Sequence, residues 1–132
     1  MRFELQHVEV MPQKLQPGIL YVSLEFETAH HLCACGCGQK VRTPLSAAEW
    51  QVEETPQGVT LRPSIGSWQL PCRSHYLIHK GQVVWAEQWS DSQIAAGRTR
   101  DQQKLQTYLD SRRHKRPSWW NRFLHWLGIR AP

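Results

Sequence analysis

The sequence lacks any apolar run long enough to cross a bilayer. Apolar residues make up 40% of the 132 residues, but none of their runs approaches the roughly 18 residues that a spanning helix requires. The chain opens on a polar, alternating run instead of the apolar segment of a secretory leader. We therefore expect a cytoplasmic protein. A His-Glu-x-x-His pattern, internal repeats and low-complexity tracts are also absent, which weighs against one large class of metal-dependent hydrolases and against repeat folds.

Acidic residues are scarce in the C-terminal quarter of the chain. Residues 98–132 carry nine Lys/Arg and two Asp, whereas residues 1–97 carry seven Lys/Arg and nine Asp/Glu. The formal net charge of +5 therefore comes from the tail alone, which argues against a core that binds nucleic acid. We expect two units, a folded domain over residues 1–97 and a basic helical tail over residues 98–132.

Cysteine is rare, and its four copies are unevenly placed. Three of them alternate with small residues, a spacing that pairs poorly in disulfides and favours a reducing compartment. Soft thiolates favour Zn²⁺, and four of them suit its tetrahedral shell. The three sulfurs would spread over about 13 Å in an extended chain, so the chain must curl, as the intervening glycines permit. The sequence predicts a zinc knuckle with these ligands: Cys33, Cys35, Cys37 and Cys72.

Two histidines offer alternative ligand sets. His75 follows Cys72 with metal-ligand spacing, and His31 stands just before the cysteine run, so either histidine can replace one cysteine. Four cysteines would close the shell and make the zinc structural. Three protein ligands would leave a position at which zinc can activate water.

Alternating apolar residues and turn signals predict strands joined as hairpins. An opening strand is expected around residues 3–10. The strongest strand covers residues 19–26, with four inward positions: Leu20, Val22, Leu24 and Phe26. Two strands flank the cysteine turn, at about residues 31–35 and 40–43. Further hairpins turn at residues 55–58 and 79–82, and residues 63–68 read as a polar loop.

Helices are expected after the last strand. Ser90 and Gln93 fit a capping box, Gly97 is expected to end or weaken this short helix, and a second helix is expected over residues 101–113. The predicted fold class is therefore mainly β with C-terminal helices (α+β), a small antiparallel, hairpin-rich sheet stapled by the zinc knuckle. Four tryptophans are expected in the core because of their large buried area: Trp50, Trp68, Trp85 and Trp89.

The end of the tail has a helical apolar stripe. Over residues 118–129 the aromatic and leucine side chains fall on one side of a helix, and basic residues flank the segment. Such a helix can lie on an anionic membrane surface, fill a partner's groove, or fold back on its own sheet. We expect an outward-facing docking element, which would make the protein peripheral at a membrane or bound to a partner.

Two motifs carry a resemblance to a known family. They are Cys33-Ala-Cys35-Gly-Cys37-Gly, and Pro63-Ser64-Ile65 followed by Cys72-Arg-Ser74-His75-Tyr76 and Gly81-Gln-Val-Val-Trp85. Over residues 10–90 or so, the chain resembles a bacterial family of small zinc-binding domains encoded beside ubiquitin-like conjugation genes. The resemblance implies partners such as a ubiquitin-like protein or its activating and conjugating enzymes. It also implies an activity, that of a protease that trims or removes the modifier.

Three polar residues are candidates for that chemistry: Ser64, Ser74 and His75. A serine nucleophile needs a base within hydrogen-bond reach. Ser74 and His75 are neighbours that would point to opposite faces of a strand, so Ser64 with His75 is the better pair. Glu25, Glu49 or a backbone carbonyl can orient the base. Two alternatives stay open, a non-catalytic zinc adaptor in which these residues only cap turns or pack, and zinc-dependent hydrolysis through His75 and three cysteines.

Overall fold

The computed structural model describes residues 1–114. Within them, eight β-strands come first along the chain and one α-helix follows. They are β1 (Glu4–His7), β2 (Ile19–Ser23), β3 (Thr28–Leu32), β4 (Lys40–Pro44), β5 (Gln51–Thr55), β6 (Gly58–Gly66), β7 (His75–His79), β8 (Gln82–Trp85) and α1 (Asp91–His114). The predicted α+β class, mainly β with C-terminal helix, is confirmed. The predicted amphipathic segment 118–129 lies outside the described residues.

The strands form two four-stranded sheets, in the orders β1-β2-β3-β4 and β5-β6-β7-β8. The hairpins predicted around the cysteine turn and at residues 55–58 and 79–82 are confirmed as β3–β4, β5–β6 and β7–β8. The predicted antiparallel pairing holds for every pair of neighbouring strands within residues 1–114 except β1 and β2, which pair in parallel. A parallel pair needs a returning connection, and residues 8–18 supply one that the apolar pattern does not record.

One core lies between the sheets. Its buried members come from both, which is why neither sheet is a separate unit. Leu20, Val22, Ala29 and Val41 belong to the first sheet, and Val59, Leu61, Ile65, Tyr76 and Ile78 belong to the second. Phe3 precedes β1 and joins the same core. Leu20 and Val22 face inward as predicted. Leu24 and Phe26 do not, with 71% and 60% exposure, because β2 ends at Ser23 and residues 24–27 form a turn.

Strand β6 is longer than predicted and is irregular in the middle. Residues 63–66, expected in a loop, belong to the strand. Leu61 pairs with Ile78 and Ile65 with Tyr76, so four steps along β6 match two along β7. Such a bulge bends a strand and redirects its side chains. The Pro and Ser that suggested a loop are the residues of this bulge.

Helix α1 starts where the capping box predicted. The Ser90 backbone N–H donates to Gln93 Oε1 at 2.8 Å, and the Gln93 backbone N–H donates to Ser90 Oγ at 3.3 Å. The predicted end at Gly97 and the second helix from residue 101 are wrong, because one helix runs to His114. A Cβ at Gly97 would lie 2.8 Å from Trp89 Cζ3. The glycine therefore marks a close packing contact and not a helix end.

Within residues 1–114, no helix combines the length and the apolar character needed to cross a bilayer.

Candidate functional site

The four cysteines come together as the cysteine cluster (Cys33, Cys35, Cys37 and Cys72). Their sulfurs all lie within 4.8 Å of one another, and Cys72 Sγ is 3.8 Å from both Cys33 Sγ and Cys37 Sγ. A tetrahedral ion with metal–sulfur bonds of about 2.3 Å places its ligands about 3.8 Å apart. The cluster therefore fits a four-thiolate metal site.

The local chain explains this convergence. After β3, the Gly36 backbone N–H donates to the Cys33 carbonyl at 3.1 Å, and Gly36 and Gly38 take the left-handed φ values of 88° and 80° that favour glycine. Cys72 lies in a tight turn just before β7, closed by a 3.0 Å bond from Arg73 N–H to the Leu70 carbonyl. A metal in the cluster would therefore join the β3–β4 hairpin of one sheet to the β6–β7 connection of the other.

The thiols differ in their surroundings. Burial raises the pKa of Cys33. For Cys35, burial also acts to raise the pKa, but hydrogen bonds from the Ser74 hydroxyl and from the thiol and backbone of Cys37 outweigh it and bring the pKa to about 6. Ser74, a candidate nucleophile on sequence grounds, thus lies beside the cysteine cluster, where its hydroxyl stabilises thiolate.

Neither histidine considered as a metal ligand is a member of the cluster. His31 is fully buried, with Nε2 at 2.6 Å from the Tyr76 hydroxyl. Burial lowers the pKa of His31 to about 4, so its ring is neutral at physiological pH. The Tyr76 hydroxyl also accepts a 3.3 Å bond from the Ala34 backbone N–H, which fastens the cysteine turn to β7. Burial raises the pKa of Tyr76, so this hydroxyl keeps its proton.

Ser64 and His75 form the serine–histidine pair. Ser64 Oγ lies 2.9 Å from His75 Nε2, and His75 Nδ1 lies 2.6 Å from the backbone carbonyl oxygen of Glu87. A carbonyl can only accept, so Nδ1 must carry the ring proton, and Nε2 is left to accept from the Ser64 hydroxyl. A general base that activates a serine needs this tautomer.

The strands place the pair. Ser64 sits in the β6 bulge, and His75 opens β7 directly opposite Gly66 in the ladder. Side chains alternate along a strand, so Ser74 and Tyr76 turn towards the cysteine cluster while His75 turns away from it. The cysteine cluster and the serine–histidine pair therefore lie on opposite sides of the chain where β7 begins.

Two indoles enclose the His75 ring. The Trp68 and Trp89 ring centroids each lie 5.0 Å from that of His75, and the two indoles stack on each other at 5.9 Å. His75 is only 5% exposed as a result. The prediction that all four tryptophans belong to the core is wrong for Trp85, which is 55% exposed. Trp50 packs against the core as expected, and the other two line the site.

A groove opens beside Ser64, with a volume of about 360 Å³. The loop before β5 forms one wall, and α1 forms the other. Its lining residues are Ala48, Glu49, Trp50, Pro63, Ser64, Trp89, Arg100, Asp101, Gln102, Lys104 and Leu105. Ser64 is therefore part of the wall of this groove.

The sequence offered three orienting groups for the base, and the structure brings one of them to it. The Glu87 carbonyl contacts His75. The Glu49 carboxylate lines the groove and accepts from the Ser46 hydroxyl at 3.2 Å, and Glu25 lines a separate hollow beside β2. The sequence could not predict which carbonyl orients the base, because every residue has a backbone carbonyl. The role of Trp68 and Trp89 was also missed, since indoles read equally well as core.

The chain thus forms a small two-sheet β domain that carries a cluster of four cysteines in its turns and, separately, a serine–histidine–carbonyl arrangement. The chain belongs to the family described as the bacterial ubiquitination-like system serine protease, BubE, whose model matches residues 7–86. That match includes the cysteine cluster and the serine–histidine pair and ends just before Glu87. Among curated proteins and among solved structures, none matches the chain.

Proposed function

We propose that this protein is a serine-type protease or isopeptidase that processes or removes a ubiquitin-like modifier, with Ser64 as nucleophile and His75 as general base. The observation that carries the proposal is the 2.9 Å contact between Ser64 Oγ and His75 Nε2, with Nδ1 held by the Glu87 carbonyl. The family's description supports both the serine-protease class and the bacterial ubiquitination-like setting.

The reaction follows from this geometry. His75 Nε2 takes the Ser64 proton as Oγ attacks the substrate carbonyl, and the tetrahedral intermediate collapses to an acyl-enzyme as Nε2 returns the proton to the leaving amine. Water then repeats the sequence and releases the carboxylate product. In acylation and again in deacylation, the His75 imidazolium that forms donates a hydrogen bond from Nδ1 to the Glu87 carbonyl. A neutral acceptor fixes the ring as a carboxylate would, but it stabilises the positive charge less.

We assign Zn²⁺ to the cysteine cluster, with Cys33, Cys35, Cys37 and Cys72 as ligands. Zinc held by four thiolates supplies a structural cross-link and keeps no position for a water molecule. The sulfur separations of 3.8 Å support this assignment. Hydrolysis at the metal, one of the sequence-based alternatives, would need an open coordination position, so we place the chemistry at Ser64.

The partners we propose are the ubiquitin-like modifier and the activating and conjugating enzymes of the same pathway, in the cytoplasm. Residues 1–97 would form the enzymatic domain, and residues 98–132 would form a basic appendage whose first part continues α1 and lines the groove. The segment 118–129 would dock on a partner or on an anionic membrane surface.

The test is cleavage of a modifier that carries a C-terminal extension. Ser64→Ala and His75→Gln should each lower kcat at least about 1000-fold, as removal of either member of such a pair does. Ser67→Ala, at another serine close by on the same segment, is the matched control and should keep its rate. Full activity in both pair variants would exclude this chemistry. Retained binding of the modifier would then favour the adaptor, the second function the sequence allows.

A further inference from the structure

We propose that helix α1 completes the active site: Gly97 seats the Trp89 indole, and that indole holds the His75 ring against Ser64. Trp89 and Gly97 would then be positioning residues for the general base. The inference rests on the proposed function for its kinetic consequence, but its geometric content can be tested separately. Residues 87–97 lie beyond the family match.

The first step of the argument is the confinement of His75. Trp89 meets the imidazole nearly edge-on at an interplanar angle of 67°, and Trp68 meets it at 57°. Both ring nitrogens are also hydrogen-bonded. The hydrogen bonds set the direction in which the ring points, and the two indoles prevent it from tilting out of line with Ser64 Oγ.

The second step is the space that each indole needs. A Cβ at Gly97 would lie 2.8 Å from Trp89 Cζ3 and 3.6 Å from Cη2, and carbon atoms in contact are about 3.5–4.0 Å apart. A Cβ at Gly66, directly opposite His75, would likewise overlap the Trp68 indole. A glycine inside a helix costs stability relative to alanine. At Gly97 that cost has a local reason, since the Trp89 ring occupies the place of its side chain.

The third step is the attachment of the segment that links β8 to α1. At one end, the Ala86 N–H donates to the His75 carbonyl at 2.8 Å. At the other end, Ile94 of α1 is buried and Asp91 pairs with Arg73 at 3.3 Å. The linking residues supply the Glu87 carbonyl and the Trp89 ring. The position of α1 therefore sets two of the contacts that orient the base.

The experiment compares Gly97→Ala with Ala95→Gly. Gly97→Ala should lower kcat about 10–100-fold, as a displacement near 1 Å does, with KM within about threefold, although alanine favours the helix. Ala95→Gly, at an exposed position of α1, weakens the helix without touching Trp89 and should keep kcat. If Gly97 had only a structural role, kcat would follow the stability of α1 in both variants. A lower kcat in the variant that favours the helix would therefore exclude a purely structural role.

Two further variants keep the test decisive. Trp89→Phe removes the ring atoms nearest Gly97, so the double variant Trp89→Phe with Gly97→Ala should turn over faster than Gly97→Ala alone. If Gly97→Ala does not fold, Trp89→Leu with the native glycine takes its place and should lower kcat by a larger factor than it changes KM. A kcat that follows helix stability across the set, or an unchanged kcat in Gly97→Ala, would overturn the inference.

A readout without substrate separates this inference from the proposed function. Nitrogen-15 NMR of the histidine rings should show His75 as a single tautomer protonated at Nδ1 in the native protein and in Ala95→Gly. In Gly97→Ala the His75 signals should shift towards those of a mixed tautomer. A protein without proteolytic activity but with these spectra would overturn the protease and keep the positioning role. Identical spectra in both variants would overturn the positioning role alone.

Discussion

If the cysteine cluster holds a metal, replacing Cys72 by serine removes the ligand through which that metal ties the two sheets together. The three remaining thiolates all lie in the β3–β4 turn, so they can hold an ion without linking it to β7. What is lost is the closed ring between Cys37 and Cys72, which are 35 residues apart. In the chain-entropy treatment of cross-links, closing a loop of that length is worth about 4 kcal/mol at 25 °C.

The free energy of this loop closure is large compared with the stability of a small domain. Small proteins unfold with about 5–15 kcal/mol, so Cys72→Ser should lose a substantial part of it. For a domain of this size the melting temperature should fall by about 10–25 °C. If the native domain lies near the lower end of the stability range, the variant should be largely unfolded at 37 °C.

Urea unfolding of the native protein and of Cys72→Ser, each with zinc and with a chelator, measures the effect and supplies its own control. With zinc, the two free energies of unfolding should differ by about 4 kcal/mol. With chelator, the difference should shrink below about 1 kcal/mol, because serine is close to cysteine in size. A difference that persists unchanged in chelator would mean that Cys72 acts by packing. An unchanged melt with unchanged metal content would refute Cys72 as a ligand that stabilises the fold.

Two other outcomes are expected. If His75 is the base, kcat/KM should rise from pH 5 to pH 8, because only a neutral imidazole can accept the Ser64 proton; a flat profile, with chemistry shown to limit the rate, would contradict this. Truncation after Arg113 should leave a folded, soluble protein that no longer binds anionic liposomes or a pathway partner, since the sequence of segment 118–129 suits an outward-facing helix. Loss of the cooperative melt in the truncated protein would instead make the tail part of the core.

The cysteine cluster was predictable because metal chemistry restricts both the ligand type and the spacing. Three alternating cysteines with interspersed glycines have few other uses, and the distant Cys72 was the remaining thiol. Most strands were predictable for a similar reason, since an apolar alternation bounded by turn residues leaves little choice. The pairing of Ser64 with His75 followed from the argument that strand neighbours such as Ser74 and His75 diverge.

The remaining features depend on relations that a single sequence does not carry. The direction of β1 relative to β2 depends on the path of residues 8–18 and not on any apolar pattern. Gly97 looks like a helix end because the reason for a glycine, the ring of Trp89, comes from a different segment. The exposure of Leu24 and Phe26 likewise reflects where β2 stops, and strand ends are set by tertiary contacts more than by propensity.

The hydrogen-bond acceptor of His75 Nδ1 belongs to the main chain. Side-chain substitutions therefore cannot remove this contact directly. An acidic side chain in that role can be lost by a single substitution, and its loss exposes its importance. The carbonyl at position 87 is present whatever the side chain is. Alanine scanning would therefore not reveal this contact, and other residues at position 87 would preserve it. Selection can act on this contact only through the path of the backbone, which here means the packing of the helix that follows.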